Sequence, residues 1–305
     1  MRILSRREAL VTAATVTAAA AAPSTESMPV VQWGPHKISR LIVGGNPVSG
    51  TSHFSSKLDA EMRDYFTAAN IKKMLAECES AGINTWQSRA DHHIMRMLNE
   101  YRLEGGRMQW IAQSASEYGD FRRNVAEMAA LKPIGAYHHG SMTDTLWSQG
   151  KIDQVYENLK AVRQIGAQVG LGTHRPEVID YVEAKGWNLD FYMTCVYQIQ
   201  ARTREEAEKV AGRKLEGPAG DFFWDPDREK MLERVRKTTK PCLIFKVYGA
   251  SRNCATAESR LAALQLAFRY AKPSDAVVVG MFPKYQEQIR ENCQLVKQAI
   301  QAQTV

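Results

Sequence analysis

The chain has 305 residues, a hydrophobic content of 44% and a net charge of +7, of which +2 falls in residues 1–22, where Arg2, Arg6 and Arg7 face Glu8. The remaining charge, about +5, is spread among acidic residues with no basic stripe or interleaved aromatics, which argues against a nucleic-acid partner. Five cysteines, Cys78, Cys195, Cys242, Cys254 and Cys293, are an odd number without a C-x-x-C pair; they exclude a disulfide scaffold but leave room for one bridge in an oxidising compartment.

At the N-terminus, Ser5-Arg6-Arg7-Glu8-Ala9-Leu10 sets a twin arginine before an alanine-rich run, Val11 to Ala22. That run is short of the roughly 20 apolar residues a membrane span needs. It ends in small residues before Pro23. The segment 1–22 is read as a twin-arginine export signal cleaved near Ala20 to Ala22. The partner implied is the twin-arginine translocation machinery. The mature chain is then periplasmic or extracellular, has no stable membrane span, and crosses the membrane already folded. Residues 23–36 read as a linker and the start of a hairpin, and 37–305 as the main domain.

Within 37–305, strand-sized apolar runs alternate with amphipathic helices. A first strand is expected at 41–44, followed by a polar loop and a helix at 68–81, where Ile71, Met74, Leu75 and Cys78 form an i, i+3, i+4, i+7 stripe ended by Gly82. Strands follow at 83–88, 108–113, 134–138, 168–173, 189–197, 242–248 and 275–280. The helices between them are expected at 92–104, 121–131, 152–165, 176–185, after Asp225 with Pro226 in the first turn, at 257–271 and at 285–302. A charged insertion occupies about 201–223. Eight β–α units in order predict a single-domain α/β fold, a (β/α)8 TIM barrel preceded by a short N-terminal hairpin. An open doubly wound sheet would carry a glycine-rich phosphate turn after its first strand. Gly44-Gly45-Asn46-Pro47 does not match one.

Six of the seven histidines sit just past apolar runs: His53, His92, His93, His138, His139 and His174. Strand C-termini converge on one mouth in such a barrel, so the last five would form a wall of imidazoles there. Imidazole moves protons at neutral pH with little tuning. Lys246 lies in LIFKVYG, between Phe245 and Val247, and is expected to reach the mouth as a Schiff-base nucleophile, a carbonyl-polarising cation or an anion clamp, the alternative being a buried carboxylate pair. Tyr192, Tyr197 and Tyr248 are strand-end aromatics that could stack on a sugar or simply pack. A rival use of the histidines is a divalent metal held by His93, His139, His174 and Asp91. Neighbouring residues on a strand face opposite sides, so only one of His138 and His139 is expected to reach any one centre.

The hairpin before ISRLIVGGN, the GINTW segment and the ending DAVVVGMFPKYQEQIRENCQLV resemble the aldo-keto reductases over nearly the whole mature chain. That resemblance implies NADP, with its phosphate and adenine end held by Gly280, Met281, Lys284, Gln288, Glu291 and Asn292. A helix N-terminus favours phosphate, which gives the assignment a physical basis. The family reduces carbonyls with a tyrosine acid tuned by a lysine and an aspartate, beside a substrate-orienting histidine. Here the aspartate position falls on Gln87, the lysine position on or near Gln113, the tyrosine position on or near His92, and the histidine on His138 or His139. An uncharged Gln cannot lower a phenol pKa as an ammonium does. The expectation is therefore an exported barrel enzyme acting on a small polar carbonyl or polyol, sugar derivatives among the candidates, by His/Lys acid–base chemistry, with NADP held tightly as one option. His139 or His138 would be the main group, with Lys246 as the cation and His92, His93 and His174 nearby. A metal-dependent hydrolase or isomerase and a non-catalytic carbohydrate-binding barrel are the alternatives.

Overall fold

The structure, a computed structural model, describes residues 27–199, 202–215 and 221–303. The expected export signal therefore lies outside the described residues. Among those residues no helix is long and apolar enough to cross a membrane.

The chain enters through an antiparallel hairpin, β1 (Val30–Trp33) and β2 (His36–Ser39). Eight parallel strands then close into a barrel: β3 (Leu41–Gly44), β4 (Thr85–Arg89), β5 (Gln109–Gln113), β6 (Gly135–His138), β7 (Gln168–Thr173), β8 (Phe191–Cys195), β9 (Cys242–Phe245) and β10 (Ala276–Gly280). Closure is made by β10 against β3, with Val277 opposite Leu41 and Gly280 opposite Gly44. The expected (β/α)8 barrel with its hairpin is thus the observed fold.

Helices cover the outside. They are α1 (Ser56–Tyr65), α2 (Ala68–Ser80), α3 (His92–Leu103), α4 (Phe121–Ala129), α5 (Gly140–Ser148), α6 (Asp153–Gln164), α7 (Pro176–Ala184), α8 (Arg204–Ala211), α9 (Pro226–Lys237), α10 (Ala257–Tyr270) and α11 (Gln288–Gln301). Three helices differ from expectation: α1 lies in the stretch read as a polar loop, α5 directly behind β6, and α8 within the charged insertion. The expected strands six and seven also run too long, to 197 and 248, where β8 and β9 stop at Cys195 and Phe245. The apolar run continues beyond each strand because the residues after it, Val196, Tyr197, Val247 and Tyr248, are buried under the loops of the mouth. All five cysteines are free, so no disulfide forms among them.

Two apolar cores result. One lies between strands and helices. The other fills the barrel with Ile42, Ile111, Tyr137, Phe191, Met193, Leu243 and Val278, and is capped by Val31, Trp33 and Ile38 of the hairpin. Trp33 meets Phe191 edge-on at 4.8 Å. Both rings need missing side chains: a Cβ on Gly135 would sit 2.5 Å from the Trp33 ring, and one on Gly170 would sit 2.2 Å from Phe191 Cζ. The hairpin therefore plugs the N-terminal end of the barrel and leaves the C-terminal end as the open face.

Candidate active site

The C-terminal face holds a cavity of about 670 Å³. Its inner wall carries His53, His139, His174, Gln87, Gln113, Tyr137, Arg89 and Lys246, and it extends past Tyr248 and Arg260 to Gly280, Gln288, Glu291 and Asn292.

The two histidines at the end of β6 part company as strand parity requires. His138 faces the helix layer: it is 5% exposed, stacks on Phe121 at 5.2 Å and shares a 2.9 Å hydrogen bond with Thr143 of α5. His139 turns into the cavity, its Nδ1 buried with no hydrogen-bond partner among the described residues. Burial brings His138 down to about 4. Burial, helped by the nearby charges of Arg89 and His174, brings His139 down to about 3. Both are neutral at physiological pH.

His174 is the opposite case. Its backbone N–H and its ring Nδ1–H both donate to Asp144 Oδ2, at 3.0 and 2.7 Å. Thr173 Oγ1 holds the other Asp144 oxygen at 2.5 Å. Cys195 lies near the ring and supports its charge. Burial acts to lower its pKa, but Cys195 and Asp144 outweigh it and hold His174 at about 9. The cavity thus contains one protonated and one neutral imidazole, the pairing of proton donor and acceptor that a single pH cannot give to two unperturbed histidines.

Lys246 follows β9 in the left-handed region, φ 60°. Phe245 points into the barrel, so strand parity would send Lys246 outward. The left-handed turn re-aims it to the cavity wall, where Nζ is buried with no hydrogen-bond partner among the described residues, 5.6 Å above the Phe223 ring. Burial depresses its pKa. The expected mouth-facing lysine is present, reached by a turn and not by the strand.

At the floor of the cavity Gln87 Nε2 donates to Tyr137 Oη at 2.8 Å, and Tyr137 Oη donates to Gln113 Oε1 at 2.8 Å. Tyr137 was not singled out from sequence, although its alternation with His138 already set it on the inner face. His53 was also passed over as a site residue. Its ring meets Asp221, at the far end of the charged insertion, at 2.5 Å, and this contact closes one side of the mouth.

Other expected site residues lie elsewhere. His92 and His93 are exposed on the first turn of α3, because Asp91 caps that helix by accepting from Ile94 N–H at 2.9 Å and so carries the chain out of the mouth. His92 meets Glu127 at 3.0 Å. The suggested metal set of His93, His139, His174 and Asp91 is therefore dispersed, and among the described residues no three His, Cys, Asp or Glu side chains are grouped to hold a metal. Tyr192 packs outward and is buried; Tyr197 Oη donates to Asp225 at 3.0 Å. Of the residues assigned to NADP, Gly280, Gln288, Glu291 and Asn292 line the cavity, whereas Met281 is buried away from it and Lys284 pairs with Glu61 at 2.9 Å.

No family model and no curated protein matches the chain. Solved structures do. Gox0644 in its apo form is 12% identical, with 91% of this chain and 94% of that one aligned at a TM-score of 0.52. A Gox0644 mutant in complex with NADPH is 13% identical over 91% and 94% of the two chains at 0.53. A truncated 3-deoxy-D-arabino-heptulosonate 7-phosphate synthase from Thermotoga maritima is 12% identical over 91% of each chain at 0.50. At these identities the likeness is one of fold: the chain shares the TIM-type barrel with proteins of differing chemistry.

Proposed function

We propose that the protein is an enzyme that moves protons on a small polar carbonyl compound, sugar derivatives included, in the mouth of the barrel. The carrying observation is the juxtaposition of a neutral His139, with an unpartnered Nδ1, and a protonated His174, fixed by Asp144, in one cavity. His139 takes a proton from the carbon beside the carbonyl, and His174 donates to the carbonyl oxygen. The Gln87–Tyr137–Gln113 chain offers hydrogen bonds to substrate hydroxyls at the cavity floor. Incubation with dihydroxyacetone, glyceraldehyde or pyruvate in D2O tests the reading: exchange of the α-protons supports it, and exchange no faster than buffer contradicts it.

A second reading, a reductase using NADP, is favoured by the extension of the cavity to Gly280, Gln288 and Asn292. The residues there fit a phosphate-bearing group. Arg260 lines that end, donates to Cys254 O at 2.8 Å, pairs with the Glu291 carboxylate, and keeps a buried Nε–H with no partner among the described residues. Gly280, Gln288, Asn292 and Arg260 would hold the adenine and phosphate end. When bound, the dinucleotide would supply hydride. Absorbance and fluorescence of the purified native protein, with elemental analysis for metals, separate this reading from the first.

Export through the twin-arginine route, with Ser5-Arg6-Arg7 as its signal, is part of the proposal. It fits a chain that folds, and loads any cofactor, before crossing the membrane.

A further inference from the structure

We infer that Lys246 is a covalent nucleophile that captures its carbonyl substrate as a Schiff base. This rests on the proton-transfer reading above and deepens it by naming the substrate class: an aldehyde or ketone small enough for the mouth.

A lysine that ended β9 in ordinary strand geometry would leave for the helix layer, where its ammonium could find a carboxylate. The left-handed turn at Lys246 is unusual for a residue with a Cβ and stores strain. It delivers the amine to a buried position in the cavity where no described side chain or carbonyl accepts from it. Buried ammonium groups are normally paired. Burial and the Arg252 guanidinium, over the same Phe223 ring at 4.1 Å, disfavour the ammonium form; Cys195, Asp221 and the ring face below Nζ favour it, and burial outweighs them. Such surroundings favour a neutral, nucleophilic amine. Proton donor and acceptor are already in the same cavity, since His174 and His139 line it with Lys246. Phe245, the residue before Lys246, contacts the His174 ring edge-on at 5.8 Å, which brings the ends of β7 and β9 together across β8.

The step balances within these groups. The Lys246 Nζ lone pair attacks the carbonyl carbon and forms a C–N bond. One amine proton passes to His139, and the carbonyl oxygen takes the proton of His174, giving a carbinolamine. The C–O bond then breaks as nitrogen shares its remaining pair to form C=N. The hydroxyl leaves as water with the proton held by His139, and the iminium keeps one N–H. His174 ends neutral, ready to be reprotonated. No oxidant, reductant or metal is consumed. An iminium at this carbon acidifies the adjacent C–H, which is the proton that His139 is placed to remove.

The test is borohydride trapping on the full folded protein, with dihydroxyacetone, glyceraldehyde and pyruvate as probes. Intact mass and peptide mapping locate the reduced adduct. The expected result is a single adduct concentrated on Lys246, lost in Lys246→Arg while that variant keeps the wild-type melting profile. If Lys246→Arg does not fold, competition serves instead: excess substrate during mild acetylation of the wild type should protect Lys246 and no other lysine. Adducts scattered over exposed lysines with none at Lys246, or no adduct at all, overturn the inference. Should α-proton exchange persist without an adduct at Lys246, the Schiff base falls and the proton-transfer reading stands. Absence of both exchange and adduct removes both.

Discussion

Asp144 and His174 form a two-point contact: one carboxylate oxygen accepts both the backbone N–H and the ring Nδ1–H of the histidine, at 3.0 and 2.7 Å. The contact fixes ring orientation and supports the charge at once, while α5 anchors the carboxylate beside the end of β7. Asp144 is a positioning residue in this account and touches no reacting atom.

Asp144→Asn should therefore change a titration more than a fold. The His174 ring is expected to titrate well below about 9 by NMR, because the substitution removes one of the two groups that hold it up. Proton-transfer activity should fall on the order of tenfold or more, with the upper limb of its pH profile displaced downward. An unchanged His174 titration would remove Asp144 from the mechanism.

Stability should form a dome in pH. His138 and His139 have folded pKa values of about 4 and about 3, below the unfolded value. Their contribution is complete above about 6.5 and is lost as pH falls toward those values. His174 runs the other way: its contribution is complete below about 6.5 and is lost as pH rises through about 9. Thermal melting should thus peak near neutrality. His139→Asn should flatten the acid limb and His174→Asn the alkaline limb; a profile level from pH 4 to pH 9 would contradict both assignments.

Gly170→Ala tests the plugged end. The added Cβ would lie 2.2 Å from Phe191 Cζ, in a core already closed by Trp33. We expect a loss of about 1–3 kcal/mol in denaturant titrations, the usual penalty for overpacking. A neutral effect would mean the Phe191 ring has room to move.

For export, replacing Arg6 and Arg7 together by Lys should leave the full-length chain inside the cell, as seen by fractionation and immunoblot. Undiminished export would remove the twin-arginine assignment.

Much of the fold was legible because burial on both faces and helical stripes are written directly in residue type. The first barrel strand, β3, and the positions of all eight strands came from that pattern. The site was legible where parity governs it: His138 and His139 had to separate, and Tyr137 belonged to the inner face with His139 beyond it. It was obscured where loops re-aim the chain. His92 and His93 follow an apolar strand, yet Asp91 is a helix cap, and the first turn of an outer helix carries both away from the mouth. Lys246 reaches the cavity through a positive φ that no periodicity announces. Asp144 sits in SMTDTLWS, whose pattern carries no clear helical stripe, so its meeting with His174 across 30 residues emerges only in three dimensions.

The central claim is that neutral His139 and protonated His174 together make the mouth a proton-transfer site. It is tested most directly by NMR-monitored α-proton exchange of dihydroxyacetone in D2O, with wild-type protein and His139→Gln side by side. Wild type should exchange above the buffer rate and the variant should lose about 100-fold or more, the scale of a general base. Equal exchange by the two proteins, or none by the wild type on any of the carbonyl probes, would contradict it.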